Sequence, residues 1–310
     1  MFIYIMSTAP FDTQPSLTPE KEQGFNGERV SVTMLNTSFG DALQDSETAE
    51  RILPAKEDHL ALVGFSEVTP GVRSHVVEVI EKQGYKAVVP SGESEDIDII
   101  WAVSPGLEVR HTVAHRFDGR IESRPGKRQK RDAGTLVVEA VTPDGRVLRL
   151  SSERFAPPLR GPKARRVHMI GMSAVLDGLT NANDGTVDID ISGGDHNKAN
   201  GPTESDKAMW RDKGYTPIVA DGETTYNVQV AGKMARAAGK ALQILGRFPT
   251  MEFDKMYARP GDGRELVRFD PNDDDATLTL NQVGYTIAEV IWVGGTDHAA
   301  ISTTISFPSK

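Results

Sequence analysis

Apolar residues recur along the chain in short runs broken by turn-forming residues, and the spacing within each run predicts its element. Val30-Ser31-Val32-Thr33-Met34-Leu35 alternates and is β-branched, so it predicts a strand ending at Asn36; a second run, Leu60 to Phe65, ends at Ser66-Glu67. Extended stretches follow at Tyr85 to Val89, Ile97 to Val103, Val109 to Val113, Leu136 to Val141, Val147 to Leu150, Val187 to Ile191, Tyr285 to Val293 and Ala299 to Phe307. Thr142-Pro143-Asp144-Gly145 is a strong hairpin turn. Helical composition or spacing marks Asp41 to Leu53, Val72 to Lys82 (stopped by Gly84), Val167 to Leu179 and Val230 to Leu245. Residues 198–225 and 260–275 read as loops, the second with Asp270, Asp273, Asp274 and Asp275 clustered as a solvated acidic turn.

Many strands with few helices between them predict an α/β layered fold with mixed or antiparallel sheets. Residues 1–29 read as a flexible tail rich in Ser, Thr, Pro, Gln and Glu, and residues 30–310 as one domain. The 310 residues suffice for a sizeable core. No cysteine is present, which excludes disulfides, thiolate nucleophiles and Cys-bound zinc. The apolar opening Met1 to Met6 is too short for a signal peptide's core, and no run is long enough to span a bilayer, so the expectation is a soluble cytoplasmic protein.

The chemistry-bearing residues share a position. Asn36, Glu67, Asp195 with Asn197, and Asp297 with His298 each stand immediately after a predicted strand or between two. Strand ends held by a core are rigid places from which such groups can converge. Their order resembles that of the endonuclease/exonuclease/phosphatase superfamily, the DNase I-like metal-dependent phosphoesterases. Its first strand ends in Asn, as Met34-Leu35-Asn36 does; its Gln-Glu pair is matched by Ser66-Glu67. Its Gly-Asp-x-Asn motif is matched by Gly194-Asp195-His196-Asn197, and its closing Ser-Asp-His by Thr296-Asp297-His298. The run Ala288 to Val293 looks like its Ile-Asp-Tyr-Ile-Phe-Val strand, with Glu289 at the acidic position. The likeness spans residues 30 to 307 except 228–280, a segment atypical of the family.

That resemblance implies a four-layer α-β-β-α sandwich and Mg²⁺-dependent phosphodiester hydrolysis, with Mn²⁺ as a substitute. Glu67 is the expected direct metal ligand, with Asn36, Asp297 and Glu289 beside it. Asp195 orients or deprotonates the attacking water, Asn197 holds the phosphate, and His298 faces the developing charge with Asp297 orienting it or binding metal. The family's Thr-His pair is replaced by Ser151-Ser152-Glu153, so Glu153 stands where a second catalytic His is expected. A neutral Glu153 or a hydrated metal then supplies the leaving-group proton, or activity is reduced. The remaining histidines, His59, His75, His111, His115 and His168, read as structural or surface residues, His168 facing solvent.

Charge sharpens the substrate. The net charge is −9, yet Arg116 to Arg166 holds 14 Lys and Arg against 6 Asp and Glu, a balance of +8, which leaves −17 on the rest. Arg124, Lys127, Arg128, Lys130 and Arg131 crowd one loop of this stretch, and Arg160, Lys163, Arg165 and Arg166 a second. Both suit a phosphate backbone, so DNA is the expected partner and a nuclease the expected activity. The alternatives are a non-catalytic nucleic-acid- or protein-binding homologue and a small-molecule (inositol or lipid) phosphatase.

Overall fold

The computed structural model describes residues 25–309 apart from 26, 38–42, 44–45, 54–58, 118–133, 156–160, 182–185, 197–203, 219–253, 271–276, 294–295 and 297. In chain order the elements are β1 (Glu28–Asn36), α1 (Ser46–Ile52), β2 (Ala61–Ser66), α2 (Pro70–Lys82), β3 (Lys86–Val88), β4 (Ile99–Val103), β5 (Glu108–Arg116), β6 (Gly134–Val141) and β7 (Val147–Arg154). Then come α3 (Gly161–Asn181), β8 (Ile189–Asp195), α4 (Glu204–Asp212), β9 (Thr216–Pro217), β10 (Asp254–Pro260), β11 (Glu265–Arg268), β12 (Gln282–Tyr285), β13 (Glu289–Trp292) and β14 (Ala299–Phe307).

The first sheet runs β11-β12-β14-β1-β2-β4-β3 with β13 also on β14, and the second runs β5-β6-β7-β8-β10-β9. Alternation sorts their side chains. Val30, Val32, Met34, Leu62 and Trp101 of the first sheet meet Leu136, Leu148, Leu150, Ile191 and Met256 of the second in one core. The Trp101 indole ties the layers by donating to the Leu136 carbonyl at 2.9 Å. The opposite face of the first sheet, with Val63, Phe65 and Ile100, packs on Ala49, Ile52, Val76 and Ile80 of α1 and α2. That of the second, with Val137, Phe155 and Tyr257, packs on Met172, Val175, Leu176 and Trp210 of α3 and α4. The predicted α-β-β-α sandwich is the observed architecture. Burying each such aliphatic side chain stabilises it by about 1.5–3 kcal/mol, and β2 and β4, covered on both faces, are buried at every position.

Local signals mostly hold. The Thr142–Gly145 turn forms with Gly145 at φ 73° and its N–H donating to the Thr142 carbonyl at 2.8 Å, and Gly84 ends α2 at φ 79°. Five expectations change. The span 198–225 contains α4, and the span 260–275 contains β11; their polar outer faces hid the elements. Tyr285 to Val293 is two strands, because Thr286 turns its carbonyl and hydroxyl onto Thr303 and Thr304 of β14 and interrupts the ladder. Helix α3 starts at Gly161, so Lys163, Arg165 and Arg166 belong to a helix rather than a loop. His168 on that helix is buried against Phe117 rather than solvent-facing. The expected helix at 230–245 lies outside the described residues. Among the described residues no helix is long and apolar enough to cross a membrane.

Two parallel pairs decide where the chemistry goes. β1 and β2 are parallel and end together at Asn36 and Ser66; β7 and β8 are parallel and end together at Arg154 and Asp195. Their antiparallel neighbours β14, β4 and β10 therefore begin at that same end.

Candidate active site

The strand ends converge. Asn36, closing β1, donates from Nδ2 to Oδ2 of Asp195 at 2.9 Å, and the same nitrogen lies 3.4 Å from Nε2 of His298. On the other side of its ring, His298 places Nδ1 3.0 Å from Oδ2 of Asp254. Asp195, Asp254 and His298 are all buried, and one ligand atom from each lies within 4.8 Å of the others. Arg154, closing β7, donates to Glu67, and at 2.9 Å to Asp98 just before β4.

Backbone geometry fixes these groups. Glu67 has φ 62°, the one non-glycine positive value among the described residues. That conformation is costly for a side-chain-bearing residue and recurs at functional sites; here it follows β2 and accompanies the pairing of Glu67 with Arg154. Gly194 has φ 144°, and a Cβ there would stand 2.1 Å from the Glu153 carbonyl. Only glycine lets β8 approach β7 closely enough to carry Asp195 into the cluster. Thr296 donates to the Asn36 carbonyl at 2.8 Å and accepts from the His298 N–H at 3.1 Å, pinning the start of β14 to the end of β1.

Among the described residues, carboxylates outnumber guanidinium groups at the site. Glu67, Asp98, Asp195 and Asp254 are buried, with the Arg154 guanidinium paired to Glu67 and Asp98 and the His298 ring to Asp254. Burial, reinforced by Asp254 and Glu67 against the opposing pull of His298 and Arg154, pushes Asp195 up to about 7. Burial pulls the Arg154 guanidinium down, but Glu67, Asp98 and Asp195 more than reverse it, so it stays charged. Buried oxygen donors with excess negative charge are the donor set a hard divalent cation takes.

Of the expected site residues, Asn36, Glu67, Asp195 and His298 come together at this end. Asn197 and Asp297 lie outside the described residues. Glu289 does not join them: it is exposed, opposite Ser302, four residues up β14 from His298. Glu153 is also a correction. Strand alternation turns it to the opposite face of the sheet, where it is wholly buried, accepts from the Ser192 hydroxyl at 3.1 Å and lies 3.1 Å from Nε2 of His196. Its neighbour Arg154 is the residue that projects into the site.

Arg154, Asp98 and Asp254 are thus the site groups that the motifs missed. Parity was the available signal for Arg154, since positions alternate with Leu148 and Leu150, which face the inter-sheet core. Asp98 and Asp254 each open an apolar run, Ile99 to Val103 and Met256 to Ala258. Among the basic residues, Arg166 is exposed on α3; the structure describes only the backbone of Lys163 and Arg165. Arg124, Lys127, Arg128, Lys130, Arg131 and Arg160 lie outside the described residues.

No family model matches the chain, and no curated protein matches it by sequence. Solved structures do match in fold. TDP2 of D. rerio, in complex with a single-strand DNA product, is 12% identical with a TM-score of 0.56, over 89% of this chain and 98% of that one. Beta toxin of Staphylococcus aureus is 14% identical with a TM-score of 0.57, over 88% and 98%. The endonuclease/exonuclease/phosphatase protein of Bacteroides vulgatus is 10% identical with a TM-score of 0.54, over 90% and 99%. The chain has the endonuclease/exonuclease/phosphatase fold, as its motif order implied.

Proposed function

We propose that this protein is a divalent-metal-dependent phosphodiester hydrolase, using Mg²⁺ and acting on DNA as a nuclease. The observation that carries this reading is the buried convergence of Asp195, Asp254, His298 and Asn36 beside Glu67. Glu67 and Asn36 would hold the cation, with the carboxylates of Asp195 and Asp254 close by. Such an ion, when bound, neutralises the phosphoryl oxygens and lowers the pKa of water.

The chain's own groups account for the rest. Asp195, poised near neutrality, is suited to take a proton from the attacking water. Its hydrogen bond from Asn36 holds the carboxylate in one orientation. Asp254 fixes the His298 ring through Nδ1, leaving Nε2 directed at the site, where an imidazolium would stabilise the developing phosphorane. Arg154 holds Glu67 in place and offsets carboxylate repulsion. DNA as the substrate rests on the basic residues between Arg116 and Arg166 other than Arg146, Arg149 and Arg154, which are buried in ion pairs, since several cations suit a polyanion, and on the DNA product in TDP2, a protein of similar fold.

Incubation with supercoiled plasmid and Mg²⁺ tests the reading. Nicking that EDTA, Glu67→Ala and Asp195→Ala abolish supports it. An intact plasmid together with phosphate release from inositol phosphates would replace the nuclease by a small-molecule phosphatase. The ion pair with Arg154 gives a second reading its footing: a Glu67 locked to a guanidinium is a weaker metal ligand, as in a binding protein that has lost catalysis. Metal-independent DNA binding indifferent to Asp195→Ala, without nicking, would favour it.

A further inference from the structure

Among the described residues the large aromatic side chains are mostly hidden, with one exception beside the catalytic end. Trp101 and Trp210 are 0% and 1% exposed, whereas Trp292 is 39% exposed. Its position is fixed by the ladder: Trp292 pairs with Ala299, the residue after His298. Its facing follows from its neighbours, because Ile291 and Val293 pack into the helix-covered core and Val290 into the inter-sheet core. Alternation therefore puts the Trp292 ring on the inter-sheet side, at the open margin past His298. Arg51 of α1, itself exposed, donates from Nη1 to the Trp292 carbonyl at 3.2 Å, which places a guanidinium beside the backbone of that residue.

An indole left in water at the lip of a buried anionic site forgoes a stabilising burial, and a cation next to it favours an anion bearing a flat ring. We infer that Trp292 and Arg51 form a nucleotide subsite: the indole stacks on a base adjoining the scissile phosphate, and the guanidinium meets the flanking phosphate. This rests on the hydrolase reading above and gives it a substrate feature, a preference for base-bearing nucleic acid over a bare phosphodiester. Every base has a π-face, so stacking of this kind is tolerant of sequence.

Because the other two tryptophans are buried, acrylamide quenching of the full chain's fluorescence reports on Trp292. In EDTA at low salt, a dT decamer should shield this residue, while a decamer of abasic sites with the same phosphates should bind and leave it quenchable. In Mg²⁺, Trp292→Ala should raise KM for the dT decamer roughly tenfold, the scale of one base–aromatic stack. Its kcat should change less than about twofold, Trp292→Phe should recover most of the loss, and the abasic decamer should not respond. Arg51→Ala should weaken both decamers alike. Equal shielding by the two decamers, or an unchanged KM in Trp292→Ala, overturns the subsite. Base-dependent shielding without hydrolysis of either decamer leaves the subsite standing and removes the hydrolase.

Discussion

Two carboxylate–imidazole pairs stand at strand ends on the same side of the sandwich, one at β10 and β14 and the other at β7 and β8, and differ in the face they use. Asp254 and His298 meet at 3.0 Å on the inter-sheet side; Glu153 and His196 meet at 3.1 Å on the helix-covered side. Side-chain chemistry and spacing are nearly identical. Surroundings are not. His196 is stacked by Phe155, Trp210 and Tyr257, with ring centroids 4.7, 5.8 and 5.9 Å away, and its carboxylate partner is bonded by Ser192, which in turn accepts from Ser151 at 2.7 Å. Glu153, His196 and Ser192 are all buried, and aromatic rings and hydroxyls occupy their described contacts. His298 instead faces Asn36, Asp195 and, through them, the Glu67–Arg154 pair, a group with negative charge still to be balanced. A buried acid–imidazole pair is therefore a functional signal only when its neighbours leave chemistry undone.

The sharpest way to break this contrast is activity. In the plasmid assay His298→Ala should lower the rate about 10³-fold or more, since both proton transfer and transition-state charge depend on such groups. His196→Phe, which keeps the aromatic stack, should cost less than about tenfold. Comparable losses from both would mean that the outer pair takes part in the reaction.

Stability should show the next largest effect. Arg154→Leu strands Glu67 and Asp98 as buried carboxylates without their guanidinium, and loss of one partner from a buried pair costs about 3–5 kcal/mol. Chemical denaturation at pH 8 measures it, and added Mg²⁺ should restore part of the loss by supplying the missing charge.

Proton linkage gives a signed, smaller test. Asp195 is raised in the folded state to about 7, from an ordinary value near 3.8. The native protein then holds a proton that the unfolded chain has released, so ionising Asp195 destabilises the fold as pH rises from about 4 to 7. Asp195→Asn should match wild type near pH 3.5 and exceed it by a few kcal/mol at pH 8 without Mg²⁺, while abolishing nicking. Burial, resisted by hydrogen bonds from Ser192 and the Gly193 backbone, likewise raises Glu153 well above the ordinary carboxylate range. Glu153→Gln should therefore also gain thermal stability with increasing pH, but with Mg²⁺-dependent activity within about threefold of wild type. A Glu153→Gln protein without activity would restore the proton-donor role implied by the motif.

The smallest expected effect concerns the cationic approach. Arg166→Ala should lower the slope of log affinity for DNA against log salt by about one, as expected for one phosphate contact. An unchanged slope assigns Arg166 to a solvated helix face.

The motif reading reached four of the central residues because each stands at the edge of an apolar run, a position visible in one dimension. Glu153 shows its limit. The segment Ser151-Ser152-Glu153-Arg154 offers the right kind of residue one place too early, and a shift of one residue along a strand exchanges the two faces. Asp254 was out of reach for another reason: it lies within the atypical segment 228–280, and its pairing with His298 spans 44 residues of chain. Glu289 failed by register, since an acid on a strand beside β14 joins the site only at the Trp292 end.

By itself the sequence determined the strand-rich layered class, the order of the polar strand ends, the absence of thiol chemistry and the concentration of positive charge between Arg116 and Arg166. These depend on periodicity and composition, which act locally along the chain. Only the tertiary structure decided which carboxylates share a site, because that depends on two parallel strand pairs ending at one edge and on the face each residue occupies there. Burial then set the chemistry: the same Asp or Glu is an ordinary acid in water, a base poised near neutrality in the cluster, and a core hydrogen-bonding group one strand position away.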